Sequence, residues 1–368
     1  TKTNNTSDVR AVGVPFNWTL TVANTGLLGA TFTDGQTLLS DPLPAGATYG
    51  TPTPGSFTGI TNGGSISCSI DGGNILTCTA SGADVTIGAT TGSFVVTIPV
   101  TPTAGGNLVN TATVDPNNNI TEIREDNNTG SNTVTVLAAP TIAKAFSPAT
   151  IQSGDTSTIT FTLTNPNAGE LTGATFTDTL SNMSISGAQN AGGTCTGADG
   201  NSFANGDTAL TLSGLTIPAS GSCTVTIVVT SSTAGVHPNT TSGVSSTETP
   251  TAGAVSNIAN LTVSTLVAPT VAKSFVAANL ASGGNTNLTV TIGNTNLVAI
   301  TLTADLVDTF PAGMTINTAG NTGSCTGVTA TAGASSFTMA GGTSIPAGGC
   351  TVIVNVTSST AGVATNTI

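Results

Sequence analysis

Phe16, Trp18, Leu20 and Val22 alternate with Asn17, Thr19 and Thr21. The same two-residue period returns at Ile159, Phe161 and Leu163 among threonines, and it predicts strands with one buried face. Runs rich in Thr, Val and Ile are broken every eight to twelve residues or so by Gly, Pro and Asn turns, the spacing of a β-sandwich. No stretch carries the 3.6-residue period of an amphipathic helix.

The pattern also repeats on a longer scale. "STITFTLTNPNAG" at 157–169 matches "TNLTVTIGNTN" at 286–296 and "FNWTLTVANTG" at 16–26, making Asn24, Asn165 and Asn294 equivalent. "SFVVTIPVTPTAGGNLVNTATV" from Ser93 likewise matches "SCTVTIVVTSSTAGVHPNTTSGV" from Ser222 and "GCTVIVNVTSSTAGVATNTI" from Gly349. These matches predict an all-β chain of three tandem immunoglobulin-like sandwiches, at 1–138, 139–267 and 268–368. "LAAPT" and "LVAPT" join them; linkers this short, with Pro140 and Pro269 and no Gly/Ser tract, favour a semi-rigid rod. Copy three stops before any counterpart of "NIANLTV", so it is expected to lack its final strand. That strand would come from further sequence or from another chain by strand complementation.

Composition narrows the function. Charged residues make up 6% of the 368, with 5 Lys and Arg against 17 Asp and Glu, a net charge of −12. No basic surface exists to bind nucleic acid, and no apolar run is long enough for membrane insertion as a helix. The six cysteines form no CxxC pair, and one histidine gives no basis for a mixed-ligand zinc site, so structural disulfides and a secreted or cell-surface location are expected.

Cys223 and Cys350 occupy the place of Phe94, on the inner row with Val96 and Ile98. The expected bridges are therefore Cys195–Cys223 and Cys325–Cys350. Cys68–Cys78 should staple a hairpin around the turn Asp71-Gly72-Gly73.

"NTG" with "DPLPAGATY" in copy one, "GDTSTITFTLTN" with "FTDTL" in copy two, and "VDTFPAGMTI" in copy three resemble the tandem extracellular repeats of unknown function in very large bacterial surface proteins. "EIREDNN" in copy one is also similar to bacterial cell-adhesion-related Ig-like domains. Copy two departs from the pattern at "DTLSNMS", where the Pro-Ala-Gly turn is absent. The resemblance implies a non-catalytic stalk, fibre subunit or adhesin. The leading expectation is a structural rod that forms or projects from a surface filament, with other copies of itself as partners. The alternative is a binding module that recognises glycan or protein on another surface.

Candidate chemistry is sparse. His237, in "GVHPN", has no counterpart in the other copies and is expected to be a solvated loop residue, and no nucleophile–His–acid set can be assembled. Asp115, Asn117, Asn119, Glu122, Glu125 and Asp126 offer hard oxygen ligands for calcium without the EF-hand pattern; the competing expectation is a polar hairpin in which these residues satisfy turns. No other cofactor is implied. Asp199–Asp207 reads as an ordinary turn, and the Asn-X-Thr sequons at Asn17 and Asn287 fall inside expected strands.

The three lysines, Lys2, Lys144 and Lys273, open their copies at one position. Each copy also repeats an aspartate, at Asp41, Asp178 and Asp308, and a late asparagine, at Asn110, Asn239 and Asn366. Lysine, buried acid and asparagine are the parts of an internal isopeptide cross-link. The plainer expectation is that the lysine guards an exposed edge strand or pairs with the aspartate across a domain junction.

Overall fold

Phe16, Trp18, Leu20 and Val22 are buried along Phe16–Ala23 while the residues between them are not. The same alternation marks the long strands Ser93–Pro102, Thr156–Thr164, Ser222–Thr230, Asn285–Gly293 and Cys350–Ser358 of the computed structural model, which describes residues 1–368. The chain is all-β, with two single-turn 3₁₀ segments at Gly63–Ser65 and Ala198–Gly200. Buried apolar side chains gather in three clusters, of 22 residues from Phe16 to Val136, 28 from Ile142 to Val263 and 15 from Leu288 to Val356.

In copy one, one sheet has the order Lys2–Asn4, Phe16–Ala23, Ser93–Pro102, Ala47–Tyr49. The other runs Val9–Ala11, Thr129–Leu137, Gly106–Val114, Thr37–Pro42, Ile75–Ala80, Ile66–Ile70. The opening segment serves both sheets: Lys2–Asn4 pairs antiparallel with Phe16–Ala23, then Val9–Ala11 pairs parallel with Thr129–Leu137. Copy two repeats this switch, Thr141–Ser147 pairing with Thr156–Thr164 and Thr150–Gln152 running parallel to Ala259–Ser264. The first strand of each copy is thus an edge strand whose inner side chains face the opposite sheet.

Copy three departs from expectation by more than one strand. Its last strand is Cys350–Ser358, and residues 359–368 form none. In copy two the corresponding strand, Gly235–Asn239, is held by its ladder with Ala259–Ser264. No such ladder holds residues 359–368.

Gly46 and Gly313 end the Pro-Ala-Gly turns at φ +91° and +84°, a left-handed conformation that glycine adopts without penalty. In copy two, where that tripeptide is missing, Asn182 takes the left-handed position at φ +58°, and asparagine is among the few residues that tolerate it. The turn survives its sequence change, and Asp178 keeps its place.

Three disulfides close. Cys68 and Cys78 face each other across the hairpin Ile66–Ile70/Ile75–Ala80, whose turn is held by Gly73 N–H and Ile75 N–H donating to Asp71 Oδ1 at 2.9 and 2.8 Å. Cys195–Cys223 and Cys325–Cys350 join an inner-row strand residue to an upstream loop.

Candidate functional site

The first strand of each copy carries a lysine on its inner row. Along Thr141–Ser147 the buried residues are Ile142, Lys144 and Phe146; an ammonium among apolar neighbours needs a partner. The opposite sheet supplies it. Lys144 Nζ donates to Asp178 Oδ2, Lys2 Nζ to Asp41 Oδ2 at 2.6 Å, and Lys273 Nζ to Asp308 Oδ1 at 2.6 Å. The Lys2 and Lys144 side chains are 1% and 0% exposed, that of Lys273 11%, and all three aspartates 0%.

The expected edge-strand guard and junction ion pair are therefore both corrected: each lysine points inward and pairs within its own copy. Two-residue alternation puts it on the same row as Ile142 and Phe146. The edge backbone at Lys144 is covered by Asn257, which accepts from its N–H at 2.9 Å and donates to its carbonyl at 3.0 Å.

The late asparagine completes the group. Asn110 Nδ2 donates to Asp41 Oδ2 at 3.3 Å, the oxygen that also accepts from Lys2, and Asn366 Nδ2 donates to Asp308 Oδ2 at 3.3 Å. Asn239 donates instead to the carbonyl of Thr179, the residue after Asp178, at 2.6 Å. Five buried acceptors, Asp41 Oδ1, Asn110 Oδ1, Asp178 Oδ1, Asn239 Oδ1 and Asn366 Oδ1, have no hydrogen-bond partner.

Aromatic rings wall the sites. Lys2 Nζ lies 5.1 Å from the Trp18 ring centre, and Lys144 Nζ lies 5.6 and 5.2 Å from those of Phe146 and Phe161. Burial lowers the pKa of Lys2 from 10.5 to about 8, against the opposing pull of Asp41, and lowers that of Lys144 in the same way against Asp178. Burial, reinforced by the charge of Asp41, raises that of Tyr49.

The other candidates resolve differently. Asp115 is buried and closes its own turn, accepting from Asn119 N–H and Ile120 N–H at 2.8 Å each. Asn117, Asn119, Glu122, Glu125 and Asp126 are exposed; Glu125 accepts from Glu122 N–H and Asn128, and Asp126 pairs with Arg124. The six are not brought together, and no three His, Cys, Asp or Glu side chains cluster anywhere as a metal centre would need. His237 is also corrected: it is buried on Gly235–Asn239, with Nε2 2.6 Å from the Thr233 carbonyl. The adjacent Pro238 suggests a loop, yet proline is compatible with this edge strand. Asp207 closes a turn on Ala204 N–H.

A second repeated device was missed in the sequence. Asn167 grips the junction residue Ala138, accepting from its N–H at 2.9 Å and donating to its carbonyl at 2.8 Å. Asn296 does the same to Val267, at 2.8 Å for both bonds. Each clasp is braced by Asn165 or Asn294. The signal was Asn-X-Asn at 165–167 and 294–296, where copy one has Gly26. Asn167→Ala with Asn296→Ala is expected to cost about 1 kcal/mol per lost bond and to broaden the distance distribution in small-angle X-ray scattering; an unchanged distribution would show that the clasps do not set junction stiffness.

The family model described as "Domain of unknown function (DUF7933)" matches residues 140–263 and 269–368. Comparison with curated proteins gave no match. Among solved structures, the C-terminal domain of the Streptococcus agalactiae AgI/II polypeptide BspA is 13% identical, with a TM-score of 0.39 over 70% of this chain and 98% of that one. The C-terminal domain of the Streptococcus pyogenes antigen I/II-family protein AspA is 11% identical, with a TM-score of 0.39 over 72% and 98%.

Proposed function

The chain belongs to the DUF7933 family, and from that premise we propose that it is a non-catalytic structural protein of the bacterial cell exterior, a rod of Ig-like units that forms or projects from a surface filament. We draw the units at 1–138, 139–267 and 268–368. The observation that carries this reading is the clasped junction, made twice with the same atoms between Asn167 and Ala138 and between Asn296 and Val267. An internal disulfide in each unit suits an oxidising exterior.

The partner in this reading is another copy of the chain. The smaller third core, 15 residues against 28 in the second unit, goes with an open sheet edge at Leu306–Thr309, where copy one has Gly106–Val114 beside Thr37–Pro42, and that edge is the place for an added strand. Such pairing rests on backbone hydrogen bonds and apolar contact, so self-association should survive from low salt to about 1 M NaCl, where the Debye length falls to about 3 Å. Sedimentation velocity reads this, and dissociation by salt would count against strand pairing. Immunogold electron microscopy of intact cells tests the reading as a whole. Label along projecting fibres is expected; label appearing only after permeabilisation would overturn it.

A further inference from the structure

The buried triads hold more chemistry than a structural rod requires. A stable ion pair would leave its carboxylate fully hydrogen-bonded, because unsatisfied buried acceptors cost stability. Here one oxygen of Asp41 and one of Asp178 are orphaned, and in both copies the asparagine carbonyl is orphaned as well. What is missing is a proton. Moving it from lysine to aspartate leaves the net charge of the pocket unchanged, turns an orphan acceptor into a donor, and frees the lone pair on Nζ. Burial against aromatic rings favours that neutral pair over the ionic one.

We infer that in copies one and two the lysine and asparagine of each triad join spontaneously through an intramolecular amide, Lys2 to Asn110 and Lys144 to Asn239, with Asp41 and Asp178 handling the protons. Neutral Nζ adds to the side-chain carbonyl carbon Cγ, and the electron pair of that carbonyl moves onto Oδ1, which the protonated aspartate stabilises. Collapse breaks the Cγ–Nδ2 bond, and Nδ2 leaves with a proton from Nζ as ammonia. One C–N bond forms and one breaks, the aspartate ends as it began, and no oxidant, metal or second substrate takes part. Asp41 suits the role because its Oδ2 touches both the attacking nitrogen, at 2.6 Å, and the departing one, at 3.3 Å. In copy two, the bond of Asn239 to the Thr179 carbonyl leaves its own Oδ1 free.

The bond would tie the first strand to the late strand of the opposite sheet, so most of the unit, short of its final strand, lies inside a covalent loop. This inference rests on the geometry of each triad and does not depend on surface location.

Peptide mapping of the purified, non-reduced full chain reads the result with no variant. Each linked unit should give one branched peptide containing both Lys2 and Asn110, or both Lys144 and Asn239, one ammonia lighter than the sum of its parts. Intact mass should fall below that of the disulfide-bonded sequence by the same number of ammonias. Separate, unmodified peptides in full yield overturn the inference for that unit. Asp41→Asn and Asp178→Asn test the acids: each variant should lose its own branched peptide and keep the other unit's. If both branched peptides persist, the role given to the aspartates is wrong.

Discussion

Asp178→Ala is expected to destabilise the second unit by about 3–5 kcal/mol or more, because it leaves Lys144 unlinked and buried between Phe146 and Phe161 with neither a counter-charge nor the acid that its bond to Asn239 requires. Guanidinium unfolding should show that unit's transition moving to lower denaturant. The double variant Lys144→Met/Asp178→Leu should recover the part of the loss due to the buried charge, since apolar groups of similar size replace both members, but not the part due to the missing cross-link. A loss below about 1 kcal/mol would be the behaviour of a surface pair and would contradict the burial of this one.

The second large effect concerns Cys195–Cys223, which spans 28 residues. Replacing both cysteines by alanine should cost about 3 kcal/mol through the entropy returned to the unfolded chain, plus the loss of a packed sulfur pair from the inner row. The Cys68–Cys78 bridge spans 10 residues and should cost less when removed. Differential scanning calorimetry of the two double variants gives the order. A larger effect from the hairpin bridge would mean that local strain, not loop closure, governs these bonds.

Asn110→Ala isolates the lysine chemistry. In that variant Lys2 stays free and titrates near pH 8 when folded, against 10.5 when unfolded. Between these values the unfolded state binds more protons, so stability should rise with pH from about 8 towards 10.5. Below about pH 8 the full penalty of burying the ammonium applies. A native first unit whose Lys2 is already an amide should show no such rise.

Much of this could be read from residues because it depends on period and recurrence. Phe16, Trp18, Leu20 and Val22 declared their strand, and Phe94 placed Cys223 and Cys350 on an inner row. Recurrence selected lysine, aspartate and asparagine in each copy, and "IAKAF" already set Lys144 in step with Ile142 and Phe146. What stayed hidden is non-local or aperiodic. The Asn167 and Asn296 clasps act across a junction on backbone atoms, which leave no residue-type signal at Ala138 or Val267. The side chains of the 115–128 loop point in directions that no period governs, so the oxygen-rich spelling did not tell that Asp115 turns back on the N–H groups of Asn119 and Ile120. Pro238 disguised the edge strand that buries His237, and Asn182 took over a left-handed turn position where the spelling has no glycine.

Pulling the chain from its two ends in a force spectrometer tests most directly whether these units are covalently clamped. With Lys144 bonded to Asn239, extension of the second unit should never include the length between those residues, which an open chain would release at about 3.5 Å per residue. An unfolding step that contains that length, with the disulfide length allowed for, would contradict it.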